Sequence, residues 1–288
     1  MPGETRRAVF AQPEWLRQVP ADRQLPDGAS VVFTGCGTSF HAAQTGGWAV
    51  QALEAAIHPP RADVMVCISH EGETAMTMAA ERAFGGDVWL VTGKADSELA
   101  EHVDEVIVCT PEIERSWCHT ASYTCAVAAI TALNGEDIAW MPNAVERALT
   151  ADVAVPNQEK ILVTGGGRDW PTAQEAVLKL REGTHIAAGA HHVEQLLHGH
   201  LASIDETVRA YVLEGEGLVA ERAHEAAEAL QKLGCDTTVI PTVHPVVDIV
   251  YFHLLTLALA EARGVDPDSI GREPGSALAQ AVGSAYPY

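Results

Sequence analysis

The residues in this chain best suited to chemistry fall into three groups. Gly35-Cys36-Gly37-Thr38-Ser39 places two hydroxyls directly after a G-x-G turn, and Ser69-His70-Glu71-Gly72-Glu73-Thr74 adds two more together with an imidazole. Hydroxyls and backbone N–H groups at a strand-to-helix turn can hold a phosphate monoester without any lysine. Ordinary caps and turns use the same residue types, so the residues alone leave both readings open. The third group is Glu175, Lys179 and Glu182, at i, i+4 and i+7 of one helix face. Its commonest meaning is a solvated salt-bridge stripe. Against that, Ala176, Val177 and Leu180 do not complete a simple amphipathic pattern, and the chain stays apolar up to His198.

Rival chemistries fit less well. A dinucleotide fingerprint needs a third glycine at the helix start, where Phe40 stands, and an acidic residue closing the second strand, where Ser69-His70 stands. Cys118-His119, His191-His192 and His198-x-His200 lack the spacing of structural zinc motifs, so no metal and no cofactor are expected. No G-x-S-x-G elbow points to a serine hydrolase.

The elements that must position these groups can be read from periodicity. Val31–Thr34, Val64–Ile68, Val88–Val91 and Val106–Cys109 read as strands, with helices over about His41–Ala56 and Thr74–Phe84. Their nearly continuous apolar character requires both sheet faces to be covered, hence an α/β fold with parallel strands. The pattern restarts at Ile161-Leu162-Val163-Thr164, which runs into Gly165-Gly166-Gly167 as Val31–Thr34 runs into Gly35–Gly37. Val208–Leu213 and Thr237–Ile240 follow as strands, and Leu218–Leu233 and Val246–Arg263 as helices. Thr172-Ala173-Gln174-Glu175 fits a capping box. The echo indicates two similar domains, 1–150 with an N-terminal helical segment and 151–288 with a C-terminal tail, joined by a linker over Ala151–Lys160. Glu273–Tyr288 is expected to pack on a neighbouring surface. Gly165-Gly166-Gly167-Arg168-Asp169 lacks the Thr-Ser pair and is expected to be structural.

Composition narrows the class. A formal net charge of −21 makes nucleic acid and anionic membrane surfaces poor partners. The six cysteines include no C-x-x-C pair and sit mostly in apolar runs, as buried reduced thiols do. No apolar segment follows Arg6-Arg7, and the stretch Leu254–Ala260 is too short to span a bilayer, so a cytoplasmic protein is expected.

Together the two hydroxyl-rich loops resemble the phosphate-binding loops of the sugar-isomerase (SIS) domain family. From Gln12 to about Asp268 the chain is similar to the isomerase half of glucosamine-6-phosphate synthase and to its stand-alone isomerase and deaminase cousins. Glu175-Ala176-Val177-Leu178-Lys179-Leu180-Arg181-Glu182 looks like the family's Glu-Gly-Ala-Leu-Lys-Leu-Lys-Glu, and His198-Gly199-His200-Leu201-Ala202-Ser203-Ile204-Asp205 like its His-Gly-Pro-Leu-Ala-Leu-Ile-Asp. The resemblance implies two tandem SIS domains, each a flavodoxin-like three-layer sandwich. It implies that Glu182 moves a proton between C1 and C2 and that His198 assists ring opening, often from a partner subunit. Lys179 would steady an oxygen or help ring opening. Gly37, Thr38, Ser39, Ser69, His70, Thr74 and Ser116 would hold a sugar or sugar phosphate. The implied activity is aldose–ketose isomerisation or aminosugar deamination through an enediol(amine), in a homodimer; the alternative is a non-catalytic sugar-phosphate binding protein. No nucleophilic cysteine follows Met1, so glutamine-derived ammonia is not expected.

Departures from the family pattern are informative. Its second loop reads Ser-Gln-Ser-Gly-Glu-Thr, whereas this chain has His70 and Glu71 in place of the Gln and second Ser. A carboxylate there repels a phosphate unless it points away or is neutralised, and His70 could supply that charge or bind the anion directly. Gln195 replaces a family glutamate, with Glu194 beside it. The family's Ser-Thr-Lys segment gives way to Glu114-Arg115-Ser116-Trp117-Cys118-His119-Thr120, expected to line the same pocket and redefine substrate choice. The family's substrate-facing C-terminal lysine is missing, and Arg272 is the candidate stand-in.

Overall fold

The structure is a computed structural model that describes residues 3–269 together with 280 and 281. Arg272 and the expected tail, apart from those two positions, lie outside the described residues. Two compact units divide between Arg147 and Ala148.

The first unit opens with helix α1 (Glu4–Leu16) and continues β1 (Val31–Gly35), α2 (Thr38–Gln44), β2 (Ala49–Gln51), α3 (Ala52–Ile57), β3 (Val64–Ile68), α4 (Ala75–Ala83), β4 (Asp87–Thr92), β5 (Glu105–Val108), α5 (Ala121–Leu133) and α6 (Met141–Ala148). Its five strands are all parallel, in the order β2-β1-β3-β4-β5. Alternating side chains serve opposite faces. Val32, Met65, Cys67, Val88 and Leu90 form one core with Ala52, Ala55 and Ala80 of α3 and α4. On the other side α5 is buried along its whole length and packs with α1 and α2. That all-round burial explains its apolar composition; such a helix has no solvent face to mark with charge.

One expected helix is really three elements. The segment His41–Ala56 breaks after Gln44, forms edge strand β2 and re-enters helix as α3. The break has a physical cause at Gly46-Gly47. A Cβ on Gly46 would lie 2.6 Å from the Phe33 ring, and Gly47 has φ 121°, so the chain turns where only glycine fits.

The second unit contains β6 (Lys160–Gly165), α7 (Trp170–Thr184), β7 (Ala187–His192), α8 (Val193–Leu197), β8 (Val208–Leu213), α9 (Leu218–Lys232), β9 (Asp236–Ile240) and α10 (Pro245–Arg263). Its sheet is parallel, in the order β7-β6-β8-β9. Leu162, Val208, Ala210 and Val212 pack with α8 and α9, while α7 and α10 pack on each other. Strand β7 was not expected: Ala-Ala-Gly-Ala-His-His has little β propensity, and only its register beside β6 makes it a strand. The expected capping box is also absent. Helix α7 starts at Trp170 out of a 3-10 turn over Gly167–Asp169, so Thr172 and Glu175 lie inside it. By length and composition α10 could cross a membrane, being longer than its Leu254–Ala260 segment suggests. It is mostly buried and carries buried Asp248 and His253, which marks it as a core helix.

Candidate active site

In an open parallel sheet, ligands collect where the strand order reverses, outside the carboxyl ends of the strands. In the first unit that point lies between β1 and β3. The loop after β1 carries Thr38 and Ser39, and the loop after β3 carries His70. All three line one cavity, with His119 and Ser122 closing it from the segment before and at the start of α5. The tight entry of α2 depends on Gly35, whose Cβ would approach Ser39 to 2.9 Å. The residue at the N-cap position of α2 is Gly37, at φ 54°, so Thr38 and Ser39 are the first residues of the helix and not its N-cap.

The remaining first-unit candidates lie elsewhere. Gly37 shapes the turn without lining the cavity. Ser69 is buried, and its Oγ lies 3.2 Å from Thr74 Oγ1, so these hydroxyls face each other. Ser116 is buried and donates to Glu114 Oε1 at 2.5 Å, so the structure places it in the loop's interior. Glu71 is exposed and does not line the cavity.

Glu114 organises this region. Its carboxylate accepts hydrogen bonds from Ser116 Oγ, from Thr120 N–H at 2.7 Å and Oγ1 at 3.3 Å, and from Ser122 N–H at 2.6 Å. Burial would push the carboxyl up, but the His119 field and these donors outweigh it and hold it below the usual carboxylate range. The result is a carboxylate lent to the start of α5 from outside the helix. Between Ser116 and Thr120 the backbone crosses the left-handed region at His119, φ 43°.

His70 behaves otherwise than its position suggested. Its Nε2 accepts the Glu114 N–H at 2.9 Å, and its ring meets His119 edge-on, centroids 5.4 Å apart. Burial and then the neighbouring His119 push its pKa down to about 4. His70 is therefore neutral near pH 7, and does not supply a charge to cancel Glu71. The close fit requires Gly93, where a Cβ would lie 2.5 Å from His70 Cε1.

In the second unit the Glu175, Lys179 and Glu182 row is not a solvated salt-bridge stripe. Lys179 Nζ stands 2.6 Å from Glu182 Oε2 and 3.4 Å from Glu175 Oε1; the Glu175 and Lys179 side chains are fully buried, while Glu182 keeps 20% exposure. Ion pairs are buried at a large desolvation cost, so this row is not an incidental surface feature. His198 is not brought to it. Its ring is 68% exposed and bonds Glu194 Oε1 at 2.8 Å, and Arg222 also grips Glu194 at 2.8 Å. Arg222 holds the Glu194 carboxyl below the usual range. Glu194 thus lies one turn before His198, beside Gln195, and is shared between His198 and Arg222.

The second unit has its own strand-end hollow, lined by Gly166, Arg168, Asp169, Gly215, Glu216 and Thr242 among others. Asp169 holds the place in the Gly165 loop that Ser39 holds in the Gly35 loop, since a Cβ on Gly165 would meet Asp169 O at 3.0 Å. Its carboxylate accepts from Thr242 Oγ1 at 2.9 Å. Its two carboxylates, Asp169 and Glu216, outnumber its one cation, Arg168, which disfavours an anion. Among the described residues no cluster of three or more histidine, cysteine or acidic side chains could hold a metal.

Known proteins place this geometry in context. No protein-family model matches the chain. It is 26% identical to a Zymomonas mobilis protein named glutamine–fructose-6-phosphate aminotransferase [isomerizing], over 91% of this chain and 56% of that one. The chain spans about half the length of the curated relatives it matches. The C-terminal domain of glucosamine-fructose-6-phosphate aminotransferase from Francisella tularensis superposes with a TM-score of 0.79 at 19% identity, covering 93% of this chain and 98% of that one. Glucosamine-6-phosphate deaminase from Thermotoga maritima gives 0.73 at 16% identity, covering 93% and 97%. These structural likenesses establish a shared fold.

Two residues of this region escaped residue-by-residue reading. Glu114 and His119 stood in a stretch conspicuous for its reactive residue types, but nothing in the spacing told which side chain turns inward. The positive φ of His119 and the burial of Glu114 are set by the fold around them.

Proposed function

We propose that this chain is a sugar-phosphate aldose–ketose isomerase or an aminosugar-phosphate deaminase, built from two SIS-type domains and working as a soluble, cytoplasmic homodimer. The first unit supplies anion recognition through the loop that carries Thr38 and Ser39. The second supplies proton transfer. Aldose–ketose exchange needs an open chain, one base for a carbon acid and stabilisation of an enediolate. Glu182 is the base in this scheme. Lys179 holds it, and His198, oriented by Glu194, serves ring opening across a subunit boundary.

The observation that carries this proposal is the buried Glu175–Lys179–Glu182 row with only its last carboxylate reaching solvent. A structural ion pair needs no accessible end, whereas a base does. The names of the relatives support the same chemistry: one isomerises, another deaminates a 6-phosphosugar. The position of His198, exposed and apart from the row, favours the second reading of a non-catalytic sugar-phosphate binder.

Deuterium exchange at C1 of fructose 6-phosphate and at C2 of glucosamine 6-phosphate, followed by NMR alongside ligand-induced thermal shift, separates the two. Exchange that Glu182→Gln lowers by about 10³-fold, with the thermal shift retained, is the expected result. Thermal shifts with no exchange in the wild type would establish the binder instead.

A further inference from the structure

The cavity of the first unit lacks the usual partners of a phosphate. No lysine or arginine is among the described residues that line it. Lys94, at the exit of β4, is held by Glu73 at 2.5 Å. The side chains facing the cavity that could carry positive charge are His70 and His119.

These two imidazoles are not equivalent. His70 Nε2 accepts a backbone N–H, which assigns its proton to Nδ1; a second proton at Nε2 would face the Glu114 N–H head-on. His70 is a tautomer-locked, neutral donor. His119 has the opposite setting. Its backbone stands at φ 43°, a conformation a non-glycine residue keeps only where the surroundings impose it. The imposing group is Glu114, which grips the N–H groups of Thr120 and Ser122 just beyond it. Glu114 is also a buried carboxylate coupled electrostatically to His119. A charged His119 ring therefore lines the cavity while in the field of the Glu114 carboxylate.

We propose that His119 is the charge-bearing residue of the anion subsite in this cavity, and that an anionic ligand enters together with one proton on the His119 ring. This rests on the sugar-phosphate reading above and adds its recognition chemistry. The titratable groups around His119 include Glu114 and Cys118 on its own loop, His70 after β3, with Glu71 acting on it, Cys109 just after β5, and Tyr123 and Cys125 on α5. Burial pushes the Cys109 thiol up to about 12, and Glu114 is held low, so neither changes charge near neutrality.

Binding and protonation are reciprocal: if a ligand takes up one proton, its apparent association constant rises about tenfold per unit fall in pH while His119 titrates. A phosphate monoester's own second ionisation, near about pH 6, acts in the opposite sense. The test therefore uses both fructose 6-phosphate and fructose 6-sulfate, whose ester charge is constant. Calorimetry between about pH 6 and about pH 8, in buffers of differing ionisation heat, gives protons taken up per ligand. Ring ¹⁵N shifts of labelled histidines locate them. The expected result is about one proton per bound ester, an imidazolium signature at His119 in the complex, and a neutral His70 throughout. His119→Asn, a residue that tolerates left-handed backbone, should abolish the uptake and flatten the pH dependence; His70→Gln should retain the uptake. Ester binding without proton uptake, or uptake that persists in a folded His119→Asn protein, overturns the proposal while leaving the sugar-phosphate reading intact. Failure of both esters to bind at any pH overturns both.

Discussion

Glu114 should be the most stability-critical polar side chain of the first unit, and Glu114→Gln tests this with almost no change in shape. Oε1 accepts from Ser116 and Thr120 and Oε2 from Ser122 N–H. Glutamine replaces one of these oxygens by an NH2 donor. In the less damaging orientation it keeps Oε1 and turns NH2 toward the Ser122 N–H. One buried N–H left without a partner costs about 1–3 kcal/mol. The surviving bonds, no longer charge-assisted, weaken by roughly half, adding about 1 kcal/mol. The total is about 3 kcal/mol, a fall of about 1 M in the urea midpoint at an m-value of about 3 kcal/mol/M. Hydrogen exchange should show the loss at the Thr120 and Ser122 amides. The pH dependence has a fixed sign. Glu114 is held below its unfolded value, so its contribution is present above about pH 4 and is lost as pH falls through the lower folded value. The gap between wild type and variant should therefore close in acid. Unfolding free energies equal within about 0.5 kcal/mol at neutral pH, or a gap that persists unchanged in acid, would refute the assigned role.

Lys179→Met should cost about 3–5 kcal/mol in chemical unfolding, because it removes the buried cation that lies against both the Glu175 and Glu182 carboxylates. Adding Glu175→Gln should recover part of that loss, and no recovery would show that the row is not electrostatically coupled. In the second unit, burial pushes Asp248 up to about 7 while its Oδ1 accepts the Val243 N–H. Because the folded value lies above the ordinary one, the ionised form is penalised, most fully above about pH 7, and the penalty fades in acid. The Tm of Asp248→Asn relative to wild type should accordingly rise between about pH 5 and about pH 8 by calorimetry, since asparagine can still accept the Val243 bond. A difference that is flat with pH would contradict this.

Much of the molecule was legible in local patterns. Val31–Thr34 and Val64–Ile68 are strands because continuous β-branched and apolar runs have one stable use, in a sheet covered on both faces. The echo of Val31–Gly37 in Ile161–Gly167 announced a second sheet, and the glycine-rich turn announced the cavity at Thr38 and Ser39. Local pattern failed where a distant contact decides conformation. Gly46 breaks a helix because Phe33, thirteen residues earlier, occupies the space of its Cβ. Ala187–His192 becomes a strand only beside β6. Charge state is the clearest case. The spacing Glu175, Lys179, Glu182 is the same for a surface stripe and a buried row, and only burial distinguishes them. A histidine after a strand could be a cation, yet enclosure and one amide N–H make His70 a neutral donor. Periodicity is a property of neighbours in sequence, whereas desolvation and hydrogen-bond satisfaction belong to neighbours in space, and those were set by tertiary structure alone.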